Sequence, residues 1–277
     1  MNHIRLLIFC AFFPFLCFSQ KNEKFHKVKI NYTSPADLVK LANQGVCIDH
    51  GLHKKNNFFI SDFSESEIEK MLSLNFDFEI LINDVTHFYK QRNKLSDKSV
   101  KNIFCEENEN IFDTPENYDF KPSDDFGGFY TYNEMLNELD DMHNLYPEII
   151  SPRSDIKDET FSSSPHIHET YEGRYLQWVK ISDNPNISEG EPQILYTALH
   201  HAREPASLQQ LIYFMWYLLE NYDSNDSIKQ IIDNSELFFV PCVNPDGYIF
   251  NETIEPNGGG MWRKNTRDSH GVDNNRN

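Results

Sequence analysis

At roughly 150 residues per domain, a chain of 277 residues has room for two domains. Its 39% hydrophobic and 25% charged residues are those of a globular protein, which excludes disordered, collagenous and disulfide-framework classes. Twenty-five basic against 43 acidic side chains leave a net charge of −18, a surface that repels phosphate backbones, so no nucleic acid partner is expected.

The chain opens with His3 and Arg5 ahead of an unbroken apolar run at residues 6–18, too short to cross a hydrocarbon core of ~30 Å. This order reads as a signal peptide over residues 1–19, with the small residues Cys17 and Ser19 before the cut and Gln20 as the new N-terminus. Leu16 ahead of Cys17 argues against a lipoprotein anchor. No later segment is long and apolar enough to span a membrane, so the expected product is secreted or periplasmic, without a stable membrane anchor. Cys47, Cys105 and Cys242 remain after cleavage, an odd number, and no bridge is assigned.

Residues 29–49 and 59–79 repeat the same pattern at a spacing of 30: Ile30 matches Ile60, Ser34 Ser64, Leu38 Ile68, Leu41 Met71, Val46 Phe76 and Ile48 Phe78. Each copy reads strand, helix, strand. Ser34 and Ser64 stand where a helix N-cap belongs, and Glu67 completes a capping box with Ser64. The expectation for residues 20–95 is a βαββαβ domain of the split-βαβ kind. Residues 96–125, acidic and interrupted by Pro115 and Pro122, read as a solvated connector.

From residue 126 onward, strands alternate with helices, which predicts an α/β sheet layered on both faces. A helix is expected at 132–146, ended by Pro147, and another from about 205 to 221. Strands are expected at 175–181, 193–199 and 237–243, the last two buried on both faces, with a turn at Asn244, Pro245, Asp246 and Gly247.

The chemistry gathers where the strand at 193–199 ends. His200, His201, Ala202, Arg203 and Glu204 fall at the carboxyl edge of the sheet, the usual place for an α/β active site. An imidazole and a carboxylate three residues apart, His201 and Glu204, can reach one zinc ion at ~2.0–2.2 Å. Taken alone, such a pair is common, His200 is more often packed or capping, and Arg203 is more often a surface cation.

Four stretches in order, HARE at 201–204, NPDGY at 244–248, WRKN at 262–265 and GVDNNRN at 271–277, together resemble the zinc metallocarboxypeptidases of the carboxypeptidase A/B kind. TYEGR at 170–174 matches the segment that precedes the strand feeding HARE. The resemblance covers about residues 126–277 and implies the N-terminal part of a peptidase domain whose sheet is mixed and mostly parallel. Matched position by position, it makes His201 and Glu204 ligands of a catalytic zinc, one per complete site. Arg263 becomes the catalytic group that polarises the scissile carbonyl. Arg203, Asn275 and Arg276 become substrate contacts, the last two gripping a free C-terminal carboxylate.

The family's third ligand, a histidine, and its glutamate base lie further on than Asn277. The chain therefore reads as a C-terminally truncated fragment, inactive by itself, and His270 is not expected to replace the missing ligand. Two histidines at 166 and 168 are read as part of an exposed loop insertion. The full-length product is expected to be a monomeric hydrolase acting on peptide and protein C-termini, with the βαββαβ domain as a prosegment over the site. The alternatives are a cell-wall peptide carboxypeptidase, or a noncatalytic secreted protein that binds peptide C-termini.

Overall fold

The computed structural model describes residues 23–55, 57–93, 114–122, 125–157 and 169–276. The expected signal peptide, most of the expected connector and the two histidines at 166 and 168 lie outside the described residues.

The N-terminal domain follows the expected βαββαβ order: β1 Phe25–Asn31, α1 Pro35–Asn43, β2 Leu52–Lys54, β3 Phe58–Ser64, α2 Glu65–Ser73 and β4 Phe78–Ile82. A further helix, α3 Val85–Asn93, follows. Both helices begin as the sequence dictates. The Ser34 N–H donates to the Asp37 carboxylate at 3.0 Å, and Pro35 takes the first turn, where its missing N–H costs nothing. Ser64 and Glu67 close the capping box reciprocally, at 2.9 and 3.3 Å. The strands form an antiparallel sheet in the order β2-β3-β1-β4, with Ile30 opposite Phe59. The helices cover it through Leu41, Ile68 and Met71, joined by Val46 from the loop after α1, packed against Val28, Ile30, Phe59 and Phe63.

The strand expected at 46–48 is instead an irregular loop: Val46 turns into the core, residues 47–51 swing away, and β2 starts only at Leu52. The cause is tertiary, since Asp49 and His50 make their contacts on the second domain.

The second domain comprises α4 Tyr132–Leu145, β5 Ser154–Asp155, β6 Gln177–Ile181, β7 Gln193–Thr197, α5 Ala206–Glu220, α6 Asp226–Ile232, β8 Glu236–Val240 and α7 Pro245–Ile254. Its sheet runs β5-β6-β8-β7 and is mixed. Only β7 and β8 pair in parallel among the described strands, the consequence of the crossover through α5 and α6, whereas β5–β6 and β6–β8 are antiparallel, so the expected parallel majority is absent. A buried ion pair fixes the register: Lys180 on β6 lies 3.2 Å from Glu236 on β8, which also accepts the Gln193 amide from β7 at 2.6 Å. That amide, with Lys180, holds the Glu236 carboxyl down at about 2.

Two local details stand out. β7 has the apolar run of a strand buried on both faces, and among the described strands it lies at the sheet edge with Ile194 and Leu195 exposed, as expected for the apolar surface of this strand in the chain as given. An apolar run measures affinity for a core and carries no information about which neighbours arrive. The expected turn at 244–247 is the first turn of α7, with Asn244 as N-cap accepting the Gly247 N–H at 3.1 Å and Pro245 at N1.

Residues 114–122, read as solvated connector, are bound to this domain. Tyr118 is buried in its core, and the Glu116 and Asn117 N–H groups donate to the Glu220 carboxylate at 2.7 and 2.8 Å. Among the described residues no helix is long and apolar enough to cross a membrane.

Candidate metal and carboxylate site

β7 delivers its C-terminal end to a sharp reversal at Leu199, whose φ of +50° lies in the left-handed region. For a non-glycine residue this costs of order 1–3 kcal/mol and persists only where the surroundings over-determine it. They do so here. The Leu199 N–H donates to Ser207 Oγ at 3.1 Å, and the carbonyl of neighbouring Ala198 accepts the Val243 N–H at 3.0 Å. The reversal buries His201 at the sheet edge and points Glu204 back toward it.

The second wall is the segment carrying Trp262 and Arg263. Buried Asn251 on α7 clamps the two walls together: its Nδ2 donates to the carbonyls of Ala202 (3.0 Å) and Trp262 (2.8 Å), and its Oδ1 accepts the Trp262 N–H at 3.0 Å. The Ala202 N–H donates to the Arg263 carbonyl at 2.9 Å. Gly247 makes the approach feasible, because a Cβ there would stand 2.2 Å from the Lys264 carbonyl oxygen. NPDGY thus aligns the site. TYEGR supports from behind: Arg174 Nη1 and Thr170 Oγ1 reach buried Asp246 at 2.6 and 2.8 Å.

Between the walls, His201 Nδ1 faces Glu204 Oε2 at 3.0 Å and His201 Nε2 faces Asp273 Oδ1 at 3.1 Å. A carboxylate on the far nitrogen is how a metal-binding histidine is oriented and made more basic. The sequence reading missed Asp273, although this rule applied to the acidic residue of GVDNNRN would have found it. The Asp273 carboxyl is opposed by burial, but Arg263, the Asn275 N–H and His201 outweigh that and hold it below the usual carboxylate range. Arg263 is buried, with Nη2 3.1 Å from Asp273 Oδ2. Its Nη1 lies 3.5 Å from Glu204 Oε1 and has no hydrogen-bond partner, a buried donor aimed at the centre of the site.

The structure brings His201, Glu204, Arg263 and Arg276 into one cluster. Asn275 stands beside them, exposed, its N–H donating to Asp273 Oδ1 at 3.0 Å. Arg203 turns aside, its guanidinium 5.9 Å from the Phe25 ring centre in the N-terminal domain. His200 bonds Thr197 Oγ1 at 2.9 Å, and His270 lies in an exposed loop. The N-terminal domain adds two residues that the sequence reading did not select. Asp49 Oδ2 lies 2.5 Å from Arg263 Nη2 and bonds Arg276 Nη2 as well. Burial of Asp49 is outweighed by Arg263, His50 and Arg276, which keep it ionised below the usual carboxylate range. His50 stands edge-on to His201, ring centres 5.4 Å apart. A cleft of about 970 Å³ opens beside this contact, lined by His50, Arg203, Glu204 and Tyr248 among others.

An imidazole nitrogen and a carboxylate 3.0 Å apart, with the far nitrogen anchored and a buried guanidinium alongside, are groups of the kind that could hold one zinc ion. Residues 156–277 match the family model of the zinc carboxypeptidases, a family whose description names zinc as its metal. A zinc carboxypeptidase of Saccharothrix mutabilis subsp. capreolus is 30% identical over 155 residues, 55% of this chain and 32% of that protein. A Saccharomyces cerevisiae relative, 29% identical over 143 residues that make up 50% of this chain and 31% of its own, is named an inactive metallocarboxypeptidase. The chain thus spans about a third of the length of these curated relatives. In fold, it is similar to the crystal structure of carboxypeptidase A from Helicoverpa armigera, with a TM-score of 0.58 at 15% identity, covering 88% of this chain and 53% of that one. A match over 88% of the chain takes in the N-terminal sheet as well as the second domain.

Proposed function

We propose that the whole protein is a zinc-dependent carboxypeptidase releasing residues from the C-termini of peptides and proteins, and that the described form is its latent state. One observation carries this reading: Asp49, a carboxylate from another domain, sits on Arg263 and Arg276 beside the His201–Glu204 pair. A free peptide C-terminus is a carboxylate of the same charge, and two guanidinium groups grip it with both charge and geometry.

Zinc held by His201 and Glu204 supplies Lewis acidity and an activated water when bound. Asp273 keeps the His201 ring in place. Arg276 and Asn275 orient the substrate carboxylate, and Arg263 donates its unpartnered Nη1 to the carbonyl oxygen as negative charge develops there. The βαββαβ domain acts as a prosegment whose Asp49 blocks that grip until it is removed. Export is part of the same proposal, with the signal peptide cut after Ser19 and the protein working outside the cytoplasm as a monomer.

The test is an assay of the full-length product, with the N-terminal domain removed, for release of C-terminal amino acids. Turnover should vanish with a chelator, return with zinc, and be lost in His201→Ala and Glu204→Ala variants that fold normally. Zinc-loaded, folded protein without turnover on any peptide would overturn the reading. N-terminal sequencing of the secreted product that began at Met1 would remove the cleavage after Ser19.

A further inference from the structure

We infer that His50 of the N-terminal domain is itself a ligand of the metal held by His201 and Glu204, so that the latent form is closed by coordination as well as by the Asp49 carboxylate. This rests on the reading of His201 and Glu204 as zinc ligands.

The observations are geometric. His50 Nε2 lies 3.6 Å from Glu204 Oε1 and 3.4 Å from Asp49 Oδ2, and one donor atom each from Asp49, His50 and His201 lie within 4.8 Å of one another. Ligands at 2.0–2.2 Å around a tetrahedral zinc are separated from each other by ~3.3–3.6 Å. The edge from His50 to Glu204 has that length, and the edge from His201 Nδ1 to Glu204 Oε2, at 3.0 Å, is only slightly shorter. A direct hydrogen bond would draw the His50 imidazole nearer to the Glu204 carboxylate than 3.6 Å. Two imidazoles and a carboxylate are also one of the donor sets that hold catalytic zinc.

The loop is built to hold His50 there. Ahead of it, Val46 is locked into the N-terminal core, and the Cys47 N–H donates to the Glu67 carboxylate at 2.9 Å. Behind it, Ser61 Oγ donates to the His50 carbonyl at 2.5 Å, and Gly51 presses on β3 so closely that a Cβ would stand 2.2 Å from the Ile60 carbonyl oxygen. Residues 49 and 50 are therefore the apex of a loop tied at both feet. The apex carries the two side-chain types that a carboxylate grip and a metal would each accept.

The experiment measures zinc affinity of the 277-residue chain by competition with a chromophoric chelator, and the visible spectrum of the cobalt-substituted protein. Wild type is compared with His50→Ala, His50→Gln, His50→Cys and His201→Ala. His50→Ala and His50→Gln should each weaken zinc binding by at least about tenfold, the scale that even outer-shell changes reach. His50→Cys, which restores a metal-binding side chain, should recover affinity and add a thiolate-to-cobalt charge-transfer band. Glutamine keeps the hydrogen-bonding capacity and loses the ligand, so wild-type affinity and spectrum in His50→Gln would overturn the inference and leave only a contact. X-ray absorption of the zinc form should count two histidines in wild type and one in His50→Gln. If zinc binding is unaffected by His201→Ala, the metal site itself is misassigned. If it needs His201 but ignores every change at His50, only the latch falls.

Discussion

The two sides of the site are held by different physics. On the side of the second domain His201, Glu204 and Arg263 stand on a strained reversal, a buried asparagine clamp and a glycine-dependent crossing, all backed by a core that runs through α4, α5 and β8. On the N-terminal side Asp49 and His50 ride a loop tied to a nine-residue core, and the named contacts across the boundary are mostly charged: Asp49 with Arg263 and Arg276, His50 with Glu204, and Lys90 with Glu255. Apolar packing makes the machinery permanent, whereas ion pairs make its occupant removable. The proposed latent form needs that division, because release must leave the site intact.

The largest expected effect tests whether the domains are separable. Phe63→Ala empties the middle of the small N-terminal core at a cost of about 3–5 kcal/mol. Hydrogen exchange should show residues 25–82 losing protection while β6, β7 and β8 keep theirs. Cooperative loss of both sheets would contradict the comparison. Next in size, Asn251→Ala strands the buried Ala202 carbonyl and the partly buried carbonyl and N–H of Trp262, and should cost about 3 kcal/mol. Thermal unfolding should show that loss in the second domain alone.

Asp49→Asn should loosen the domain contact by about 2 kcal/mol, near the low end for a buried charge pair because Arg263 keeps Asp273. Added salt should weaken the wild-type contact and change the variant less, as read from the rate at which proteolysis separates the domains.

The pH responses of the two sides should run in opposite directions. Asp49 is held below its usual 3.8, so its contribution to docking is complete above 3.8 and is lost as pH falls below that value. Glu252 on α7 is pushed by burial from 4.5 up to about 7, against the pull of the Tyr132 N–H. Its folded form holds a proton that the unfolded chain releases. The stability of the second domain should therefore decline as pH rises from 4.5 to about 7, and Glu252→Gln should flatten that decline. The smallest effect is Lys90→Ala, a partly exposed pair expected to change docking by about 0.5 kcal/mol.

What could be read in the sequence was whatever a short window specifies. The capping box of Ser64 and Glu67, the βαββαβ order and the His201–Glu204 pair are local signals, and each appears in the structure. The helix at Asn244 and Pro245 was also locally written, as an N-cap followed by proline, but the same residues favour a turn. Asp49 and His50 carry no local mark, since their partners lie more than 150 residues away and meet them only when the domains dock. The exposure of β7 and the antiparallel majority of its sheet depend likewise on which strands become neighbours.

Anomalous diffraction at the zinc edge from crystals of the chain grown with zinc tests the central claim most directly. The predicted result is one strong peak within bonding distance of His201 Nδ1 and a Glu204 oxygen, with Asp273 still on the opposite nitrogen and Asp49 on Arg263. A peak elsewhere, or zinc-saturated protein with no peak between His201 and Glu204, would contradict it.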